Sequence, residues 1–253
     1  MQKGGNKEAF SLAIEFFKGN VALSLGAIGI LIVVALMQLI PFVGILFGFA
    51  YPILSLAVQV YVGREALEVE DDRAMGAVAA RSTLSDLFLK HIDIAAGAFL
   101  GFFVIMLLLG LLFLLLFSGS VDMHALATDN TEAFMASVNV GAMMGGLTIL
   151  LILIIWLGYL MPGVMGRVIL SENFGEALRR SFLFFSPSFW KSTFNKEYFV
   201  LVLVWSIVVF VVGLVSSWLF VSIFLSPVAL ILLYGVALYN AAVYVFAAQA
   251  LSK

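Results

Sequence analysis

Few side chains in this chain could carry out acid–base, nucleophilic or metal chemistry. There is no cysteine among the 253 residues, which excludes a disulfide, a thiol nucleophile and a thiolate metal site. His91 and Asp93 have the residue types of a general acid–base pair, although such a pair is also typical of a solvated helix start. A second group could bind a cation or simply form a polar loop: Asp122, His124, Asp129 and Glu132. The chain has no HExxH, P-loop or GxSxG motif, so the sequence predicts no catalytic residue, metal site or cofactor, and it leans away from an enzyme.

Basic side chains, which bind anions, are concentrated in two charged islands between long apolar runs. Residues 63–93 hold four basic and seven acidic residues, and residues 166–197 hold five basic and three acidic residues. A basic residue near a membrane surface contributes about 1 kcal/mol to binding anionic lipids. The candidates for binding a lipid head group or a protein partner are Arg64, Arg81, Arg167, Arg179, Arg180 and Lys191.

The two islands share a sequence pattern. Each opens with Gly-Arg, continues through a spacer, and ends in GAVAARS at residues 76–82 or GEALRRS at residues 175–181. Residues 174–185 also have the helical spacing of an amphipathic segment. The pattern predicts an amphipathic helix in each island, pairing with its counterpart or binding a ligand. It also suggests a parallel internal repeat, about 42–117 and 138–220, within one domain covering residues 1–253.

The elements that must position these islands are membrane helices. The chain is 64% hydrophobic and 11% charged, whereas a soluble domain is about 45–50% apolar and about 25% charged. A membrane helix needs roughly 20 apolar residues. Six runs without Asp, Glu, Lys or Arg have about that length: 21–40, 42–62, 94–117, 138–165, 199–220 and 223–250.

Orientation follows from the basic residues, because all 13 lie on one side of this six-span arrangement. The positive-inside rule places both termini and both islands in the cytoplasm, and it separates His91 from His124. We expect a prokaryotic cytoplasmic membrane. Residues 7–18 place Phe10, Ile14 and Phe17 on one helical face, which favours a retained helix in the membrane interface over a cleaved signal.

The six runs contain milder polar residues that bear on transport. Without an ionisable residue inside the membrane, proton-coupled transport is disfavoured. Gln59 and Asn240 could line a cavity, or they could form interhelical hydrogen bonds of about 0.6 kcal/mol each.

Residues 161–192, MPGVMGRVILSENFGEALRRSFLFFSPSFWKS, resemble the membrane domain found beside some bacterial glycerophosphodiester phosphodiesterases and its stand-alone, mostly uncharacterised six-span relatives. The matching features are a Pro-Gly pair, an acidic-Ala-Leu-basic-basic-Ser helix and an aromatic-Trp-basic step. They fall at Pro162, Gly163, Glu176, Ala177, Leu178, Arg179, Arg180, Ser181, Phe189, Trp190 and Lys191. The chain departs from the pattern at Ser171, Glu172 and Asn173. The resemblance implies architecture, since the function of the family is poorly defined.

We therefore expect an all-α protein with six transmembrane helices and interfacial amphipathic helices. Its predicted function is that of a non-enzymatic scaffold or accessory protein that binds membrane lipids, anionic ones included, a protein partner or a second copy of itself. One alternative is a permease or channel for a small neutral or amphipathic solute. Another, which the resemblance implies because that membrane domain occurs beside phosphodiesterases, is a lipid-modifying enzyme. No nucleic acid is expected as a partner.

Overall fold

A computed structural model describes residues 4–118, 139–222 and 224–252, and these residues are helical and contain no strand. The long helices are α2 (Val21–Met37), α3 (Val43–Glu68), α6 (Ile92–Ser118), α7 (Val140–Ile169), α10 (Lys196–Leu219) and α11 (Ser226–Ala250). The shorter helices are α1 (Asn6–Gly19), α4 (Asp72–Arg81), α5 (Leu84–Leu89), α8 (Phe174–Ser181) and α9 (Pro187–Thr193), with a 3-10 turn at Phe182–Phe185. The all-α prediction is confirmed.

Five helical stretches are long and apolar enough to cross a membrane: α3, α5 with α6, α7, α10 and α11. Helix α2 has 17 residues, the lower end of the range of about 17–25 for a membrane helix. It is long and apolar enough to cross a membrane only when it is taken together with α1, and the two helices are bent by 95°. The described residues thus hold five candidate membrane helices, or six if the bent pair is one span.

The charged islands contain the short amphipathic helices that the sequence predicts, and each starts at a side-chain cap. The Asp71 carboxylate accepts a hydrogen bond from the backbone N–H of Ala74 at 2.8 Å, at the start of α4. The Asn173 side chain does the same for Glu176 at 3.1 Å, at the start of α8. These bonds satisfy backbone donors that have no partner within the first turn of a helix.

The described chain forms two compact units, Met1–Gly101 with Met161–Lys253, and Phe102–Leu160. In the first unit, nearly every residue from 238 to 248 of α11 is buried. In the second unit, the apolar side chains of α6 and α7 are mostly exposed, as at Leu115 and Ile152. The packed core therefore belongs to the first unit, while the second presents an apolar surface suited to a lipid environment.

Helix α1 has a second apolar face that the sequence reading overlooked. Phe10, Ile14 and Phe17 were expected to be its apolar side, but the buried residues are Ala9, Leu12, Ala13 and Phe16. This stripe packs α1 against α4 and α11. An expectation based on large side chains alone missed it, because two of its four members are alanines.

Glycine permits two close helix contacts in the first unit. A Cβ atom at Gly19 would lie 2.3 Å from the backbone oxygen of Gly76, so α1 and α4 meet through their backbones. A Cβ atom at Gly97 would lie 2.3 Å from the backbone oxygen of Phe174, and one at Gly101 would lie 2.5 Å from the Cβ of Ser181. Small residues spaced by four thus let α8 pack tightly on α6.

Both islands contain a long helix, two short α-helices and a second long helix, and the second island has the 3-10 turn between its two short helices. Ser82 and Ser181 end the shared pattern; both are buried, and each donates its hydroxyl to the carbonyl four residues earlier. The main partners differ, since α4 packs on α1 whereas α8 packs on α6. The internal repeat and the single-domain organisation stay predictions.

Candidate anion-binding site

A cleft of about 510 Å³ with both polar and apolar lining residues lies beside the second island, and we call it the arginine cleft. Its lining residues are Arg167, Arg179, Arg180, Leu183, Ser186, Ser188, Phe189, Ser192 and Leu251. Helix α7 supplies the first arginine and α8 the other two, while the serines lie in and just before α9. The fold therefore brings three arginines and three serines to one cavity.

Arg180 is held in place by two hydrogen bonds. One of its Nη atoms donates to the backbone oxygen of Arg167 at 2.5 Å, and the other donates to the Glu176 carboxylate at 2.5 Å. The second contact joins residues four apart on α8, which are neighbours on the helix surface. A guanidinium has five N–H donors, so these two bonds fix the group and leave capacity for a ligand.

Glu176 stays ionised beside this arginine. The backbone N–H of Glu172 donates to its carboxylate at 2.8 Å, and this hydrogen bond, with the charge of Arg180, lowers the pKa of Glu176 below its ordinary value. The three arginines of the cleft, together with the carboxylate of Glu176, have a net charge of +2.

Arg167 and Arg179 complete the positive wall. An Nη atom of Arg167 donates to the backbone oxygen of Leu251 at 3.5 Å, near the end of α11, which is a long and weak bond. Arg179 is exposed on α8. Of the three guanidinium groups, these two are the less constrained by the protein.

The serine hydroxyls form the other wall. The Ser186 and Ser188 oxygens lie 2.9 Å apart, and the Ser192 hydroxyl donates to the backbone oxygen of Phe189 at 2.7 Å. The Trp190 indole N–H donates to the backbone oxygen of Phe184 at 2.6 Å, which ties α9 to the 3-10 turn. Each serine has one O–H donor, so these contacts leave one serine hydroxyl hydrogen to act beside the guanidinium groups. Guanidinium and hydroxyl donors together can bind phosphate and carboxylate oxygens.

No family model matches the chain, and no curated protein or solved structure is significantly similar to it.

Three of the six predicted binding residues line the arginine cleft, and the other three do not. Arg64 donates from Nε to the backbone oxygen of Ile169 at 3.0 Å and from Nη2 to that of Ser171, which caps the end of α7. Lys191 is exposed on α9. A guanidinium that satisfies helix carbonyls has fewer donors left for a ligand.

Arg81 belongs to a separate charged cluster around a buried acid. The Glu65 side chain is 9% exposed and accepts from the Lys90 ammonium at 2.9 Å, with an Arg81 Nη atom 3.7 Å away. Lys90 also lies 5.2 Å from the centre of the Tyr61 ring. This cluster joins α3 to α4 and to the segment that follows α5.

The polar residues of the apolar runs bond within the protein. The Gln59 amide donates to the backbone oxygen of Ser55 at 3.3 Å, one turn earlier on its own helix. The Asn240 oxygen accepts from the Trp205 indole N–H at 2.7 Å, which links α10 to α11. Neither side chain lines the arginine cleft.

The other candidate groups add no metal site within the described residues. Those residues contain no cluster of three or more His, Asp or Glu side chains that could hold a metal ion. His91 lies with its ring centre 6.5 Å from that of Tyr61. The acidic loop group lies outside the described residues: Asp122, His124, Asp129 and Glu132.

The serines are the part of the site that sequence reasoning missed. The signal was present in the segment Ser186-Pro187-Ser188, which follows the paired arginines by only a few residues. Serines near a proline are usually read as a turn or a helix cap, and Ser186 is indeed the N-cap of α9. Their common position became evident only from the fold.

Proposed function

We propose that the protein is a multi-pass accessory protein of the prokaryotic cytoplasmic membrane that holds the phosphate of an anionic lipid head group in the arginine cleft. The observation that carries this proposal is the convergence of Arg167, Arg179 and Arg180 on a cavity also lined by three serines. Phosphate oxygens accept hydrogen bonds from both kinds of donor, and arginine binds them in a bidentate manner.

The distribution of charge supports a location at the head-group level. The positive-inside rule places the islands, and with them the cleft, on the cytoplasmic side. That leaflet carries anionic lipids, whose negative surface potential attracts basic groups. The exposed apolar side chains of α6 and α7 would then face the acyl chains.

The cleft favours binding over catalysis. The described residues that line it include no histidine, aspartate, glutamate or cysteine that could act as a general base. Glu176 is close, but its carboxylate is hydrogen bonded to Arg180 and to the Glu172 amide. The resemblance to the membrane domain of the phosphodiesterase family agrees with a non-enzymatic role next to lipid chemistry, and it stays a prediction.

The test is lipid binding measured by native mass spectrometry of the purified protein in detergent. The protein is titrated with short-chain phosphatidylglycerol and, separately, with phosphatidylcholine. Replacing Arg179 by Gln removes an exposed charge without breaking a described hydrogen bond, and it should weaken phosphatidylglycerol binding about fivefold, the factor that corresponds to about 1 kcal/mol.

The matched control is Arg73→Gln, which removes an exposed arginine on α4 outside the arginine cleft. It should leave phosphatidylglycerol binding unchanged. Equal weakening in both variants would show that the protein responds to total charge rather than to the cleft, and the proposal would be rejected. Competition by inorganic phosphate distinguishes a free anion from the lipid as the preferred ligand.

A further inference from the structure

A second cavity, of about 410 Å³, lies where α1 meets α10 and α11, and we call it the α1 groove. Its walls include Phe10, Ile14 and Phe17 of α1, Val208 and Val212 of α10, and Gly235 of α11. The volume falls within the roughly 300–1,000 Å³ of typical ligand pockets. The face of α1 that is not packed into the protein core therefore forms one side of a cavity.

The α1 groove is apolar inside and has one cation among its lining residues. Tyr239 also lines the groove, and its hydroxyl donates to the Asn6 side chain at 2.5 Å and so already has a partner. Lys18 is the charged lining residue; its side chain is 68% exposed, and its ammonium lies 3.9 Å from the Glu15 carboxylate. An exposed ion pair of that length contributes little, so the ammonium can pair with another anion.

This combination matches a molecule with a hydrocarbon part and an anionic end. Helices α10 and α11, which form two walls of the groove, also carry exposed apolar side chains, for example Phe210 and Leu233. In a membrane these side chains contact acyl chains, so a chain is the nearest hydrocarbon that can enter the cavity. An apolar cavity left empty would forfeit the dispersion contacts of its lining, which a chain restores.

We propose that the α1 groove holds an acyl chain of a membrane lipid whose anionic head group pairs with Lys18. The proposal does not depend on the arginine cleft. It shares with the proposed function only the location in a membrane.

The test uses phosphatidylglycerol with a photoactivatable diazirine in its acyl chain, in bilayers that contain the full-length protein. Mass spectrometry then compares lipid adducts on residues 10–17 with adducts on residues 106–115, an exposed apolar stretch of α6 that serves as the internal reference. Gly235→Leu fills the groove, and a Cβ atom at Gly235 meets nothing within 4 Å. We expect the ratio to fall several-fold, because the leucine side chain occupies the space that the acyl chain would fill.

The matched control is Gly213→Leu on α10, where a Cβ atom also meets nothing within 4 Å and which does not line the groove. It should leave the ratio unchanged. Val212→Phe fills the same groove from α10. If Gly235→Leu lowers the melting midpoint of the protein, the adduct ratio is measured in Val212→Phe instead. Lys18→Gln should keep the adducts but abolish the preference for phosphatidylglycerol over phosphatidylcholine probes.

An unchanged adduct ratio in both Gly235→Leu and Val212→Phe would overturn the proposal. So would an amine-reactive crosslinker, applied to the same bilayers in a separate experiment, that joins Lys18 to a second copy of the chain in place of lipid. Arg179→Gln, which tests the arginine cleft, should leave the adduct ratio of the α1 groove unchanged. One proposal can therefore fail while the other holds.

Discussion

The contact between α6 and α8 predicts that replacing a glycine of α6 by alanine destabilises the protein at Gly97 but not at Gly110. A Cβ atom at Gly97 would lie 2.3 Å from the backbone oxygen of Phe174, whereas an ordinary contact is at least 3.4 Å. In Gly97→Ala the two helices must therefore separate by about 1 Å, the difference between these distances. Overpacking of this kind typically destabilises a protein by about 1–3 kcal/mol.

Gly110→Ala on the same helix is the control. A Cβ atom there meets nothing within 4 Å, so only the helix propensity changes, and this favours alanine by up to about 1 kcal/mol. The same gain offsets part of the loss at Gly97, and the full gain would leave a net destabilisation of up to about 2 kcal/mol.

The assay is reversible unfolding of each purified variant in mixed detergent micelles, followed by circular dichroism. Gly97→Ala should unfold at a lower denaturant fraction than the wild type, and Gly110→Ala at the same fraction or a higher one. Because α8 carries Arg179 and Arg180, Gly97→Ala should also weaken phosphatidylglycerol binding. Equal midpoints for the two variants would refute the close contact and the position of α8 derived from it.

Two further predictions concern charged groups. Lys90→Met leaves the buried Glu65 carboxylate with one distant partner and should destabilise the protein by about 2 kcal/mol. Lys18→Met breaks an exposed ion pair and should change stability by less than about 0.5 kcal/mol. The unfolding midpoints of the two variants test this difference. The pKa of Glu176 is lower in the folded protein than its ordinary value of 4.5, so its contribution to stability is present above that pH and is lost as the pH falls through the lowered pKa. Stability measured between pH 6 and about pH 3 should fall less steeply in Glu176→Gln than in the wild type, and equal slopes would contradict the contact with Arg180.

Apolar run length predicted the long helices well, because a membrane-length helix needs only a continuous apolar stretch. It placed their ends less accurately. The run ending at residue 62 predicts the end of a helix there, but α3 continues to Glu68. Its last turns are stabilised by tertiary contacts, among them the bonds of Arg64 to the end of α7, which no local pattern reveals.

The candidate site was predictable by charge and not by position. Arg167, Arg179 and Arg180 stand out as basic residues in an apolar chain, and the structure joins them in one cleft. Arg64 and Arg81 have the same residue type but are used at a helix end and in the Glu65 cluster. Which carbonyls and carboxylates an arginine meets depends on packing between segments about 100 residues apart, as for Arg64.

The contacts of α1 also constrain the order in which this chain can mature during synthesis. Asn6 donates to the backbone oxygen of Leu201 and accepts from the Tyr239 hydroxyl, partners 195 and 233 residues further along the chain. A ribosome makes about 5–20 residues per second, so α1 emerges roughly ten seconds or more before α11 exists to receive it. Until then its buried stripe of Ala9, Leu12, Ala13 and Phe16 lacks one of its two main surfaces. Helix α11 thus completes the packing of α1, and a nascent chain interrupted before α11 would display the unpaired stripe of α1 to chaperones and proteases.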